Sequence, residues 1–537
     1  MSANGEPGPR GARISIALVA ALAIGSGLLS LRHGVYPFDE GIILYGAHSL
    51  CRGERVYEGV RVNYTPGILW TTEALFRLFG EHVLVPRLAM VAVFTALVLT
   101  CRSILVALAA PEAAAVTALG LAGLRAYLHP HWTMTSYTPF AVLLFLLALR
   151  ALLSREPRWI AAGLCAGGAF AYKQNVGAVA MLSVAVAVGL LARPRDWPRV
   201  ALRSAAAGLA PVAAMLLWIA ATGDLARFWK DGVRDNTTAF SAYWNVPYPV
   251  LRPSGEIREE AFFYVPGRVF GFLYARPAVF ARALPFVPIA VRLVYAVPVL
   301  AVALLAIRGL RGGAPARREL LLAIAAGLLL LLAWPLATIL HWATASLGAL
   351  LCAAVLCART RARAAVYAVT VGLAAAGGLA FEVAGIANER SPVSFPAGTL
   401  YTNAGTATHV GSLLRYLREH VPPDARLLVV PYAPFYYLAS GHENPIADDY
   451  LIPPWTDEAR TADIARELSE KDVQFVLWSH GELPRIQRFA EYARPLAEEI
   501  RRSYRIVYRS EGGAPRAEIW ERRTATVTGS DAGRRSP

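Results

Sequence analysis

Eleven apolar stretches divide the chain, near residues 14–31, 84–105, 113–128, 133–153, 159–172, 176–191, 200–221, 286–307, 320–339, 343–357 and 364–381. No other feature constrains its folding as much. Repeated runs of this kind call for a bilayer, and there a helix satisfies all its backbone hydrogen bonds within one segment. The expected fold class is a polytopic α-helical membrane protein with about eleven transmembrane helices. Composition agrees, since 56% of the residues are hydrophobic and 17% charged, against roughly 25% charged in an ordinary soluble chain. A soluble enzyme, a disordered chain and a disulfide-stapled secreted domain are excluded.

Charge sets the orientation. Arg10 and Arg13 precede the first run, and arginines recur in every second gap: at Arg102, at Arg150 to Arg158, at Arg193 to Arg199, at Arg308 to Arg318 and at Arg359 to Arg363. The loops around 129–132 and 341 carry neither Lys nor Arg, and the turn at Lys173 carries one. Basic residues in short loops stay cytoplasmic, which gives an N-in/C-out topology in the cell inner membrane. The first run is too long for a signal-peptide core and lacks a small-residue cleavage site, so it reads as an uncleaved span. The net charge of +15 is then a topology signal, and no nucleic-acid partner is expected.

This topology puts residues 32–83, 223–285 and everything after about 382 on the outer face. The domain plan is a transmembrane part over 1–387 with outer loops 32–83 and 223–285, an extracytoplasmic α/β domain over 388–523, and a polar, basic, disordered tail over 524–537. Within the α/β domain the patterns predict helices over 410–420, 457–471 and 485–502, strands over 427–430 and 473–478, and edge strands over 505–508 and 517–520.

The outer loops carry the chemistry. Tyr36-Pro37-Phe38-Asp39-Glu40-Gly41 leads into a helix expected to lie on the membrane surface, begun at Asp39 and stopped by Gly53. Asp39 is then either a helix cap with Glu40 complementing the dipole, or one of a pair of functional carboxylates at a depth where ionisable groups usually serve function. Lys173 is one of only three lysines in a chain whose default cation is arginine. It is either a snorkelling residue or a cation for a lipid phosphate. His129, His131 and His341 read as hydrogen-bonded interfacial residues, because no His-x-x-x-His or Cys cluster supports a metal; His341 is kept as a site candidate. Phe240, Tyr243, Trp244 and Tyr248 are candidate linings of a sugar or lipid groove. Cys101, Cys165, Cys352 and Cys357 lie in or beside spans and Cys51 stands alone, so no disulfide framework or zinc spacing exists. Neither GxxxxGK[ST] nor a strand-turn-helix GxGxxG is present, which leaves no nucleotide-phosphate motif.

Taken in order, Asp39-Glu40 after the first span, a helix ending at Gly53, Tyr57, the Tyr64-Thr65-Pro66-Gly67 turn, Leu78-Phe79-Gly80 and Arg87 opening the second span resemble membrane glycosyltransferases of the C superfamily. The protein O-mannosyltransferase and aminoarabinose-transferase type is the most similar subgroup. The resemblance implies an outer-face active site, a polyprenyl-phosphate-linked sugar donor, and an acceptor hydroxyl on a glycan, lipid or protein, with membrane lipids around it. It makes Asp39 the catalytic carboxylate with Glu40 beside it, and places Arg87 near the mouth. Aminoarabinose transferases have Glu-Lys-Pro where this chain has Tyr64-Thr65-Pro66, so a metal or phosphate role for that turn does not carry over. Tyr64 remains a substrate-binding candidate, no metal ligand is assigned, and a divalent-metal cofactor stays open.

Such a donor already carries a stable anionic leaving group, so its departure calls for a cation, Lys173 or Arg87, rather than a general acid. The acceptor hydroxyl needs a base, for which Asp39 is the choice, in a single inverting displacement of a hexosyl or pentosyl group. Two alternatives remain. A transporter or lipid flippase would use ionisable groups within spans, of which Arg125 and Arg292 are the main ones, with no acidic partner evident inside a span. A polysaccharide ligase would move a whole glycan.

Overall fold

The computed structural model describes residues 9–108, 110–238, 243, 245–449, 451–453, 455–480, 488–511 and 517–523. Each apolar stretch is built mainly of helix. In the first half these are α1 (Pro9–Leu29), α4 (Leu84–Ala107), α5 (Pro111–Leu124), α6 (Thr138–Leu152), α7 (Trp159–Tyr172), α8 (Gln174–Leu191) and α9 (Trp197–Thr222), with α2 (Asp39–Cys51) and α3 (Gly67–Phe79) in the first outer loop. The second half has Val287–Leu310, Ala314–Leu331, Leu347–Cys357 and Arg361–Asn388.

Length separates these helices. Among the described residues five are long and apolar enough to cross a membrane, and the pair Ile339–Ala345 and Leu347–Cys357, bent by 47°, makes a sixth. Eleven full spans are not present by that measure. The shortfall is physical: α6 and α7 have 15 and 14 residues, or about 21–22 Å of helix, against a hydrocarbon core of about 30 Å. The short helices are packed among the long ones. A Cβ on Gly163 or Gly167 of α7 would lie 2.3 Å from the Ser204 carbonyl oxygen or 2.0 Å from that of Gly208 on α9, so these two helices meet backbone to backbone, as small residues permit.

The connections sort into two ends. At one, Arg318 donates to the Arg155 carbonyl and Arg359 pairs with Glu319. At the other, Trp132 donates to Thr344, and Arg268 pairs with Glu389. The second end also carries the C-terminal domain. There β1 (Ser391–Phe395) and β2 (Gly398–Thr402) form a hairpin absent from the sequence expectation, being short and half polar. A four-stranded sheet follows in the order β3 (Leu427–Val430), β4 (Phe475–Ser479), β6 (Ala517–Arg522), β5 (Tyr504–Arg509), with β3 and β4 parallel and the other pairs antiparallel. Every residue of β3 and β4 is buried, as their unbroken apolar runs require. The helix expected over 485–502 is two pieces, Phe489–Tyr492 and Arg494–Ser503, broken just before Pro495. Residues 481–487 and the tail 524–537 lie outside the described residues.

The first loop corrects one expectation. Helix α2 does not lie on a membrane surface: it is buried along almost its whole length. Ile42, Ile43 and Leu50 pack with α3 and α9, whereas Leu44, Tyr45 and Ala47 join the core of the C-terminal domain. A helix apolar on two faces needs cover on both. The seam is hydrogen-bonded as well, from Tyr401 N to the Arg32 carbonyl and from Gly34 N to the Tyr401 carbonyl, each 2.8 Å.

Candidate functional site

Asp39 opens the first turn of α2. The cap position belongs to Phe38, which makes no side-chain cap, so the capping account of Asp39 does not hold in this geometry. Its carboxylate is 67% exposed, and its ion-pair contact is His131 Nε2 at 3.7 Å. The helix can start here because Gly41 admits the C-terminal domain: a Cβ at Gly41 would lie 2.7 Å from the Phe435 nitrogen.

Glu40, one position on and about 100° around the helix, is turned into the protein and is 2% exposed. Its carboxylate accepts from Arg87 Nε at 2.9 Å and Nη2 at 2.5 Å, from the Thr135 nitrogen at 2.9 Å and from Thr135 Oγ1 at 3.2 Å. Arg87 also donates to the carbonyls of Leu31 and His33, both at 3.1 Å, and of Gly34 at 2.9 Å. A guanidinium has five N–H donors, and all five are used. Glu40 as a catalytic carboxylate and Arg87 as a substrate ligand are therefore not what this geometry offers. The two residues hold residues 31–40 in place beneath Asp39.

The other candidates converge. Lys173 sits in the break between α7 and α8, where its extended backbone both ends one helix and begins the next. Its ammonium donates to Thr138 Oγ1 at 3.2 Å and lies 5.4 Å from the centroid of the Tyr137 ring. No carboxylate pairs with it among the described residues, and burial pushes its pKa down to about 8. Tyr64 stacks on Tyr137, with centroids 4.6 Å apart. His341 accepts from or donates to Thr338 Oγ1 at 2.8 Å, meets His131 edge to face at 6.1 Å and is within electrostatic range of Lys173.

Four members of this group are not singled out by the sequence. His131 bridges Asp39 and His341 but was set aside as interfacial. Tyr137 and Thr138, which both contact Lys173, carry no motif that marks them. Tyr432, at the end of β3, packs on Phe38 with centroids 4.8 Å apart, and its hydroxyl is buried with no hydrogen-bond partner among the described residues. Nothing in the sequence signals Tyr432, because its place depends on how the C-terminal domain docks. In the aromatic loop, Phe240 and Trp244 lie outside the described residues. Tyr248 is core rather than groove: its hydroxyl donates to the Tyr295 carbonyl at 2.6 Å and its ring packs on Trp342.

His129 lines a second space. It is hydrogen-bonded to the Tyr36 hydroxyl at 2.9 Å, and beyond it opens a groove of about 710 Å³ lined by Arg268, Phe272, Asn388, Glu389 and Asn403. Glu382, buried in the helix Arg361–Asn388, lies 3.5 Å from Arg268 and within range of Arg125. Arg125 thus has an acidic neighbour inside a helix, contrary to the sequence expectation. Among the described residues no three His, Cys, Asp or Glu side chains come together as a group that could hold a metal ion.

No protein-family model and no curated protein sequence matches the chain. Solved structures do. The Archaeoglobus fulgidus oligosaccharyltransferase in its apo form aligns over 86% of this chain and 69% of its own, at 11% identity and a TM-score of 0.53. The arabinofuranosyltransferase AftD from Mycobacteria aligns over 95% of this chain at 16% identity and a TM-score of 0.52, and this chain spans 40% of its length. ArnT from Cupriavidus metallidurans bound to undecaprenyl phosphate is matched over 96% of this chain and 98% of its own, at 14% identity and a looser TM-score of 0.46. The first two share this fold.

Proposed function

We propose that this chain, which has the C-superfamily fold, is an integral membrane glycosyltransferase moving a hexosyl or pentosyl group from a polyprenyl-phosphate donor to an acceptor hydroxyl. The reaction takes place on the extracytoplasmic face of the inner membrane, on a glycan, lipid or protein of the cell envelope. One observation carries the reading: an open carboxylate, Asp39, and a half-buried cation with no carboxylate partner among the described residues, Lys173, belong to one run of contacts through His131, His341 and Tyr137. A base and an anion-binding group so placed are what transfer from a phosphate-activated sugar requires.

In the proposed step the acceptor hydroxyl gives its proton to Asp39 as its oxygen attacks the anomeric carbon. The bond from that carbon to the phosphate oxygen breaks, polyprenyl phosphate leaves, and the configuration inverts through an oxocarbenium-like state. Lys173 meets the charge that grows on the leaving phosphate, and low polarity around it strengthens that attraction. His131 orients Asp39. The groove beyond His129 leaves room for the acceptor. Turnover of a panel of polyprenyl-phosphate sugars by purified protein in detergent tests the reading; no transfer from any lipid-linked sugar would defeat it.

Lys173→Ala should lower kcat/KM for the donor by about 10- to 100-fold, the loss of one charge-assisted contact, with expression unchanged. Lys173→Arg should recover part of it, since the fork differs from a point charge. The pH dependence has a definite sign. The Lys173 pKa is pushed down to about 8, so its charge is present below that pH and lost above it. Donor KM should rise as pH passes through about 8, and the Lys173→Arg profile should stay flat there. Wild-type kinetics in Lys173→Ala would return this lysine to a snorkelling role.

Orientation is tested by labelling. Cys51 is a slow target because burial raises its thiol pKa and it contacts the Glu73 carbonyl. Arg505, 66% exposed on β5, is the better site. Arg505→Cys should react with an impermeant thiol reagent on intact cells, and labelling only after lysis would place the domain inside.

A further inference from the structure

The end of the bundle away from Asp39 has a cavity of its own. Helix α4 spans 24 residues, about 36 Å, from the Arg87 end to this one. Here a space of about 640 Å³ lies between the end of α4, the start of α5, and the helices Ala314–Leu331 and Leu347–Cys357. Leu108, Pro315 and Val355 give it apolar walls, and Arg318, Glu319 and Arg359 give it charge. Glu319 is buried, with one oxygen paired to Arg359 and the other 3.4 Å from Arg308 Nε. Arg318 has no carboxylate among the described residues; it donates to the Arg155 carbonyl. Two arginines and one glutamate thus line the cavity, and Arg308 behind it shares the glutamate. The helix Ala314–Leu331 begins at this cavity with no acidic residue in its first turn, so no carboxylate there offsets the arginines. Glu112, in the first turn of α5, is exposed and does not line the cavity.

We propose that this cavity is a binding site for the phosphate of an anionic phospholipid headgroup. The charge excess recognises the phosphate, and basic pockets between transmembrane helices bind acidic lipids in this way. The apolar walls suit the upper part of an acyl chain, which a free phosphate would leave bare. This site lies at the opposite end from the proposed transfer centre and shares no residue with it.

Native mass spectrometry of the purified full chain in neutral detergent, titrated with phosphatidylglycerol or phosphatidylcholine, tests it. Phosphatidylglycerol should be retained about tenfold more strongly, the worth of one guanidinium–phosphate contact. Arg318→Gln, which leaves the Glu319 pairs intact, should abolish that preference, and Arg363→Gln, exposed at the same end, should keep it. Equal retention by wild type and Arg318→Gln overturns the site. Displacement of phosphatidylglycerol by millimolar inorganic phosphate would show a free anion as the ligand and overturn the lipid assignment. If Arg318→Gln failed to fold, Arg318→Lys should keep the preference in reduced form; a Lys variant equal to wild type, or a wild type with no preference for phosphatidylglycerol over phosphatidylcholine, would count against the site.

Discussion

Asp39→Asn is expected to lose on the order of 10²- to 10⁴-fold in the rate of sugar transfer, the contribution of a well-placed general base, while unfolding at the wild-type temperature. The side chain keeps its size and removes only the capacity to take a proton. Stability should hold because the Asp39 carboxylate is exposed and is not the cap of α2. Exposed ion pairs such as that with His131 contribute little, about 0–1 kcal/mol. A capping account would give near-normal activity for Asn and a loss of about 1 kcal/mol for Ala. Sugar transfer and thermal unfolding measured side by side on both variants separate the two. A stable, fully active Asn variant removes Asp39 as the base, and suspicion cannot then pass to Glu40, whose oxygens are occupied by Arg87 and Thr135.

How much of this was legible in the sequence depends on whether the signal was local. The apolar stretches are local, and each became helix; their length was not, since 15-residue α6 reads as a span only when the turn residues before Thr138 are counted with it. The strands of the C-terminal sheet were marked by unbroken apolar runs at Leu427 to Val430 and Phe475 to Trp478. Its hairpin, in Ser-Pro-Val-Ser-Phe, carried no such mark. Among the site residues, Asp39, Lys173, Tyr64 and His341 stand out by residue type and position, and one run of contacts through His131 and Tyr137 links them. Glu40 and Arg87 were named for the same reasons, yet 47 positions apart they bind each other. A sequence shows charges at a membrane boundary but not which of them are spent on one another. Tyr432 reaches Asp39 across nearly the whole chain, and no periodicity could report it.

Arg87→Ala should be the most destabilising single substitution around the site. It strips a carboxylate that is 2% exposed of its countercharge and frees three backbone carbonyls at Leu31, His33 and Gly34. Breaking a buried pair from one side costs about 3–5 kcal/mol, because the remaining charge has no water. The variant should therefore unfold at a much lower temperature in detergent or fail to accumulate. Glu40→Gln should cost less, since an amide oxygen can still accept from Arg87 and Thr135. The pair Glu40→Leu with Arg87→Met should recover part of the loss by removing both charges, which distinguishes a structural pair from two residues that each bind substrate. The competing account, in which Arg87 meets the donor phosphate, makes the opposite forecast: Arg87→Ala would unfold normally and raise donor KM. Those kinetics with an unshifted unfolding temperature would restore Arg87 to the substrate site and leave the position of Asp39 without its proposed support.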